Sequence, residues 1–116
     1  MTGDELAELL EREEVALVDV RSHEEYEGSS GYPCDPRQGH IPGAAHVELT
    51  EIYAVAGDPA ALGRLLAERG IGQGRRVVTY CHSGSRSELA AALLRAAGVD
   101  ALNYAGSWHE WSRRGS

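Results

Sequence analysis

The fold of this chain is decided by residues 77–87, which read Val77-Val78-Thr79-Tyr80-Cys81-His82-Ser83-Gly84-Ser85-Arg86-Ser87. An apolar, β-branched run ends at Cys81, and a helix-forming segment follows at residues 88–97. The cysteine is therefore predicted to lie on a strand-to-helix turn, where backbone N–H groups and the helix N-terminus favour an anion. A thiol held there has a lowered pKa and acts as a nucleophile. The alternative is an inert buried cysteine, which the polar residues 83–86 disfavour.

The residues that follow Cys81 can surround one small anion. The hydroxyls that can assist the loop amides belong to Ser83, Ser85 and Ser87. Gly84 allows a backbone angle that other residues resist, and Arg86 offers a forked pair of donors to an oxyanion. If that oxyanion is thiosulfate, the thiolate attacks its outer sulfur, sulfite leaves, and a persulfide stays on Cys81. Transfer to a thiol or to cyanide would complete the cycle.

Composition sets limits on the partners of this protein. At 116 residues the chain is long enough for one core, so a single domain over residues 1–116 is predicted. The net charge of −7 argues against nucleic acid or an anionic membrane as the main partner. The acidic N-terminus and the lack of a long apolar run predict a cytoplasmic protein. Neither the two cysteines nor the histidines have the spacing of a metal site, so no metal is expected.

Outward from residues 77–87, apolar runs alternate with helical patterns. Strands are predicted at residues 15–20, 45–49, 75–80 and 101–104. Helices are predicted at residues 4–13, after Ser22, from 59 to the glycine at 70, at 88–97, and in a last turn that carries Trp108 and Trp111. This order indicates an α/β domain with a mainly parallel sheet, in which ligands bind at the carboxyl ends of strands. Cys81 lies at such an end.

Residues 28–39 interrupt the pattern with the sequence GSSGYPCDPRQG, and they are predicted to form a loop. A loop of this length in a small domain is either a functional flap or a tolerated insertion. It contains Cys34, which is either incidental or a resolving thiol for Cys81 in a redox switch.

Several charged and imidazole side chains have two possible roles. Arg21 is predicted to pin the first strand through a buried ion pair with Asp19 or Glu25, with a substrate role as the alternative. His82 adjoins the nucleophile, so it either contributes to the site or points to solvent, and a similar choice stays open for His40. Surface or capping positions are predicted for the remaining histidines, His23, His46 and His109.

Four motifs, in order, give the chain a resemblance to the rhodanese-like sulfurtransferases. They lie at residues 17–26, 39–44, 81–87 and 104–111. The resemblance implies a five-stranded parallel sheet with helices on both faces, a persulfide on Cys81 and no metal or organic cofactor. It implies that the substrate is bound by the residues that follow the cysteine, namely His82, Ser83, Gly84, Ser85, Arg86 and Ser87.

Two departures from the family pattern carry expectations of their own. Residues 28–38 lengthen a connection that is usually short and lies near the site opening in the family, so the resemblance does not determine the sulfur acceptor of this chain. Ser107 replaces a usual glycine, and we expect it to alter a turn and not the chemistry.

Other functions fit parts of the same pattern. Cysteine-dependent phosphatases and arsenate reductases of the same fold separate cysteine and arginine by five residues, whereas four stand between Cys81 and Arg86. A non-catalytic docking module would typically lack the cysteine. Within sulfur transfer, the acceptor could be cyanide, a small thiol or a thiol on a partner protein.

Overall fold

The structure of the protein is a computed structural model that describes residues 1–114. Strand β3 (Val77–Tyr80) is an inner strand of its parallel sheet. The sheet has the order β2-β1-β3-β4, with β1 at Ala16–Asp19, β2 at Ala45–His46 and β4 at Ala101–Asn103. All of its pairings are parallel. Asp19 of β1 is in register with Tyr80 of β3, so the two strands end together. The residues that come after these two strands are therefore brought to one edge of the sheet.

The described residues form four strands, so the five strands implied by the family resemblance are wrong for this chain. The four apolar runs predicted as strands are each confirmed, with shorter bounds. The run at residues 45–49 pairs over only two residues, because the chain then turns into helix α3 (Leu49–Ala54). Outside these runs the sequence has helical periodicity or the glycine and proline content of loops, which leaves no further segment suited to a strand.

Helices surround the sheet and begin where the sequence supplies caps. They are α1 (Gly3–Glu11), α2 (His23–Glu27), α3, α4 (Pro59–Glu68), α5 (Ser85–Ala96) and α6 (Ser107–Trp111). Thr2 and Ser22 form capping boxes at the starts of α1 and α2, and the Asp58 side chain caps α4. Helix α5 begins at Ser85, three residues before the predicted start at 88. Its first turn therefore belongs to the loop that follows Cys81.

Alternate residues of β3 pack into two cores, one on each face of the sheet. Val77 contacts the core that α3, α4 and α5 complete, with Leu66 and Leu94 among its members. Val78 contacts the opposite core, to which α1 and α6 contribute. Trp108 and Trp111 of the last helical turn are buried there. Helices thus cover both faces, as predicted.

A search of residues 1–114 for a membrane-crossing helix finds none that is both long and apolar enough.

Candidate active site

Cys81 comes directly after β3 and is 1% exposed. Its backbone is held by the start of α6. The Cys81 N–H donates to Ser107 Oγ at 3.0 Å, and the Trp108 N–H donates to the Cys81 carbonyl at 2.9 Å. The His109 N–H holds the carbonyl of His82 in the same way, also at 2.9 Å. The C-terminal helix therefore fixes the first residues of the active-site loop, which we define as residues 81–87.

Hydrogen-bond donors converge on the Cys81 sulfur. The Gly84 N–H lies 3.1 Å from Sγ, and the Ser87 hydroxyl lies 3.3 Å from it. Burial raises the pKa of Cys81, but hydrogen bonds from Ser87, Gly84 and Ser83 outweigh this effect and hold the pKa below that of an ordinary thiol. Since Gly84 provides no side-chain cap to α5, the helix N-terminus adds its positive potential. The site is thus arranged to favour a thiolate.

Gly84 is required by the shape of this loop. Its φ of +100° lies in the left-handed region, as the sequence predicted. A Cβ atom at this position would also lie 2.5 Å from the carbonyl oxygen of Ala105. Both facts exclude a larger residue without a shift of the loop, because the clash is with backbone.

Arg86 lies at the far end of the loop and pairs with a residue of α2. Its two terminal nitrogens donate to the two carboxylate oxygens of Glu25 at 2.9 and 3.1 Å. Burial raises the pKa of Glu25, but the hydrogen bonds and charge of Arg86, aided by Ser22, lower it to about 2. The fork that the sequence predicted for an oxyanion therefore faces a carboxylate, and its Nε–H and outer N–H groups are left for a ligand.

The imidazole of His82 does not point to solvent. Its Nε2 lies 3.0 Å from Oδ2 of Asp35, and its ring stacks on that of Tyr32 with 3.7 Å between centroids. Because a carboxylate only accepts, Nε2 carries the hydrogen. The side chain of Asp35 is 1% exposed, and its other oxygen accepts from Arg113 at 2.8 Å. Residues of the predicted loop thus contact the active-site loop directly.

The other predicted site residues are placed less centrally. Ser83 and Ser85 are exposed, so of the three hydroxyls only that of Ser87 contacts the sulfur. Cys34 is an exposed free thiol whose carbonyl accepts from Arg113. His40 stacks on Tyr26 and hydrogen-bonds its carbonyl.

Arg21 forms the buried ion pair that the sequence predicted, with Asp19 as the partner. The closest contact joins Nη2 to Oδ2 at 2.7 Å, and the arginine side chain is 1% exposed. The same Nη2 donates to the carbonyl of Gly39 at 2.6 Å. Arg21 therefore ties the end of β1 to the segment that enters β2.

One cluster has the donor atoms of a metal site. Ligand atoms of Asp35, His82 and His109 lie within 4.8 Å of one another. However, both oxygens of Asp35 are engaged, one by His82 and the other by the guanidinium of Arg113. Arg113 already supplies the positive charge that a cation would bring, so we assign no metal to this cluster.

A cavity of about 290 Å³ opens beside the loop. Its walls are formed by Ser22, Glu25, Ser30, Gly31, Tyr32, Pro33 and Arg86. The cavity thus lies between α2, the loop at residues 28–39 and the start of α5.

Sequence reasoning did not predict the site contacts of four residues: Glu25, which it offered only as a partner of Arg21, and Tyr32, Asp35 and Ser107. Glu25 was within reach, because it follows β1 just as Arg86 follows β3, and parallel strands bring such residues to one edge. The sequence predicts a role in a turn for Ser107. Its φ of +53° fits that expectation, but its hydroxyl also accepts from the Cys81 N–H. Tyr32 and Asp35 lie in an irregular loop, where no periodicity predicts a contact.

The chain is similar to known proteins over nearly its whole length. The family model described as "Rhodanese-like domain" matches residues 2–114. A Mycobacterium tuberculosis protein named "Putative thiosulfate sulfurtransferase SseB" is 41% identical over 101 residues, which are 84% of this chain and 35% of that protein. Thiosulfate:glutathione sulfurtransferase of Homo sapiens is 35% identical over 115 residues, which are 97% of this chain and 91% of that protein.

Among solved structures, a cysteine-persulfide form of EanB with ergothioneine superposes with a TM-score of 0.83. It is 29% identical and covers 98% of this chain and 30% of its own. The present chain therefore spans about a third of the length of SseB and of EanB, but nearly all of the human relative.

Proposed function

The chain belongs to the family of rhodanese-like domains, and from that premise we propose that it is a sulfurtransferase. A sulfane sulfur moves from thiosulfate, or from another persulfide donor, to Cys81 and then to a thiol or to cyanide. The observation that carries the proposal is the convergence of Gly84 and Ser87 donors on the Cys81 sulfur. Two relatives named for thiosulfate support the choice of donor.

In the first half-reaction the Cys81 thiolate attacks the outer sulfur of thiosulfate. A bond forms between Sγ and that sulfur, while the bond to the sulfonate sulfur breaks and its electron pair leaves with sulfite. A thiolate and a thiosulfate dianion become a persulfide anion and a sulfite dianion, so charge and sulfur balance. The N–H groups of Arg86 that Glu25 does not use bind the sulfonate oxygens.

The persulfide places its negative charge on the terminal sulfur, farther along the loop than Sγ. The helix N-terminus and the amides of residues 83–87 stabilise that charge without moving, because β3, α5 and α6 fix the loop. In the second half-reaction a thiolate or cyanide attacks the terminal sulfur. The sulfur–sulfur bond breaks, its electron pair returns to Cys81, and a new persulfide or thiocyanate leaves.

The test is the intact mass of the reduced protein after incubation with thiosulfate. We predict a gain of about 32 Da, one sulfur atom, which cyanide removes. The Cys81→Ser variant should show no gain, because a hydroxyl has too high a pKa to act as the sulfur acceptor.

The chain supplies its own matched control in Cys34, the exposed cysteine. Cys34→Ser should still take up the sulfur, since the donors around Cys81 are unchanged. Uptake that survives in Cys81→Ser, or that disappears in Cys34→Ser, would contradict the assignment. If folded wild type gains no mass, turnover of an aryl phosphate would test the phosphatase alternative.

We place this reaction in the cytoplasm. Both cysteines are free, and the proposed cycle requires Cys81 to return to a thiolate after each transfer. A reducing compartment keeps thiols in that state.

A further inference from the structure

Residues 29–38, which follow the C-cap of α2 and which we call the cover segment, are fixed to the C-terminal helix. Arg37 donates to the carbonyls of Trp111 and Ser112 at 2.8 and 3.1 Å. In return, the Trp108 indole N–H donates to the Arg37 carbonyl at 3.0 Å. Arg113 adds its hydrogen bond to Asp35. The cover segment is therefore a fixed wall of the site, because several anchors would have to break for it to move.

The cover segment also borders the active-site loop at two points. At one end, Tyr32 stacks on His82, and Asp35 holds the same imidazole. At the other end, Tyr32 lines the cavity that Arg86 borders. The phenol ring therefore lies next to both His82, which adjoins the nucleophile, and the cavity bordered by Arg86. Cys81 itself is 1% exposed, so an acceptor has to reach it past the residues around it.

The cavity between Tyr32 and Arg86 has a size that suits a small molecule. Its volume, about 290 Å³, is near the lower limit of small-molecule sites, which run from about 300 to 1,000 Å³. A specific protein–protein contact instead covers roughly 800 Å² on each partner. A cysteine on a folded protein would have to bring its surroundings past Tyr32, whereas thiosulfate and small thiols would not.

We propose that the cover segment restricts the acceptor to low-molecular-mass thiols, with Tyr32 as the specificity-determining residue. This inference rests on the proposed function. The small thiolate passes between Tyr32 and Arg86, attacks the terminal sulfur of the Cys81 persulfide and carries it away, and the electron pair of the broken bond returns to Cys81. Asp35 acts as a positioning residue, because it holds the imidazole on which Tyr32 stacks.

The test compares two acceptor thiols in a single turnover. The protein is first loaded with sulfur from thiosulfate, and transfer is measured as the loss of about 32 Da from the protein. The probes are glutathione and ubiquitin with one engineered surface cysteine, each normalised by its rate with a small disulfide reagent. Wild type should prefer glutathione. Tyr32→Ala should lower that preference by about tenfold or more, in the range that one side chain in a pocket commonly controls. Tyr32→Phe, which keeps the stacked ring, should retain the wild-type preference.

Tyr32 is 48% exposed, so its truncation leaves the cores intact. Should Tyr32→Ala nevertheless fail to fold, the double variant Arg37→Ala, Arg113→Ala provides a second route, because it removes the arginine side-chain anchors between the cover segment and the C-terminal residues and so releases the ring from its fixed position. It should shift the preference in the same direction. An unchanged preference in the folded variant, or equal normalised rates for both thiols in wild type, would overturn the inference alone. Absence of loading in wild type would overturn the proposed function with it.

Discussion

At the scale of single residues, the site is built around a buried cysteine whose hydrogen-bond partners offset the effect of burial on its pKa. A buried thiol ordinarily stays protonated, because desolvation disfavours the charge. Here the hydrogen bonds of Gly84 and Ser87 outweigh that effect and lower the pKa of Cys81. The thiolate is therefore the form that the loop is built to hold.

This balance predicts the pH dependence of Cys81 reactivity. Since the pKa is lowered, the thiolate forms at lower pH than in an ordinary cysteine, whose pKa is about 8.5. In the Cys34→Ser variant, the rate of iodoacetamide alkylation should rise with pH to a midpoint below that value. Ser87→Ala should move the midpoint upward, because one donor to the sulfur is lost. A midpoint at or above that of free cysteine would contradict this account.

Residue by residue, the sequence predicted the parts of the site that follow a regular pattern. Cys81 after its strand, the left-handed Gly84 and the buried pair of Arg21 were all within reach, because each follows from strand ends, turn chemistry or charge burial. The hydroxyl of Ser107 and the carboxylate of Asp35 were not. Both act on the active-site loop across long stretches of sequence, and no local rule encodes such contacts.

At the scale of elements, the active-site loop is held from three directions. Strand β3 leads into it, α5 leads out of it, and the start of α6 binds its backbone. Helix α2 adds a lateral tie through Glu25 and Arg86. This ion pair joins the segments that follow β1 and β3, at the edge of the sheet where both strands end.

The Glu25–Arg86 pair predicts a defined loss of stability in acid. The pKa of Glu25 is about 2 in the folded protein and roughly 4.3 in an unfolded chain, so the folded state binds fewer protons. The stabilisation is present above about pH 4.3 and is lost as the pH falls toward 2. With allowance for the partial exposure of Arg86, it amounts to about 1–3 kcal/mol.

The measurement is urea unfolding of wild type and Glu25→Gln across this pH range, followed by the fluorescence of the buried tryptophans. The variant should be less stable at pH 6, and the difference should vanish near pH 2. Glu24→Gln is the matched control, because Glu24 is exposed on the same helix and its side chain is not paired with Arg86. A difference that is the same at both ends of the range would show that charge pairing is not its source.

The sequence predicted the type of each strand and helix it identified better than the residues at which the element begins and ends. Alternation of apolar runs and capped helices indicated the parallel sheet and helices on both faces. The early start of α5 was hidden, because Ser85, Arg86 and Ser87 are ordinary loop residues by composition. They form the first turn of the helix, which brings the Ser87 hydroxyl to the Cys81 sulfur.

At the scale of the whole molecule, the first and the last helix of residues 1–114 meet. Helices α1 and α6 pack in one core, and the Gly3 N–H donates to Glu110 at 2.7 Å. The helix that fixes Cys81 is thereby joined to the start of the chain. We therefore propose that residues 1–116 form one domain that holds the whole site, although several relatives are about three times as long.

The most direct test of the claim that this chain alone forms the Cys81 persulfide uses two samples of thiosulfate. One sample is labelled at the outer sulfur and the other at the inner sulfur. Label in the outer sulfur should stay with the folded, reduced protein at about one atom per chain and leave as thiocyanate on addition of cyanide. Label in the inner sulfur should leave as sulfite, and Cys81→Ser should retain neither. Retention of the inner sulfur, or no retention of the outer one, would contradict a Cys81 persulfide formed by this chain.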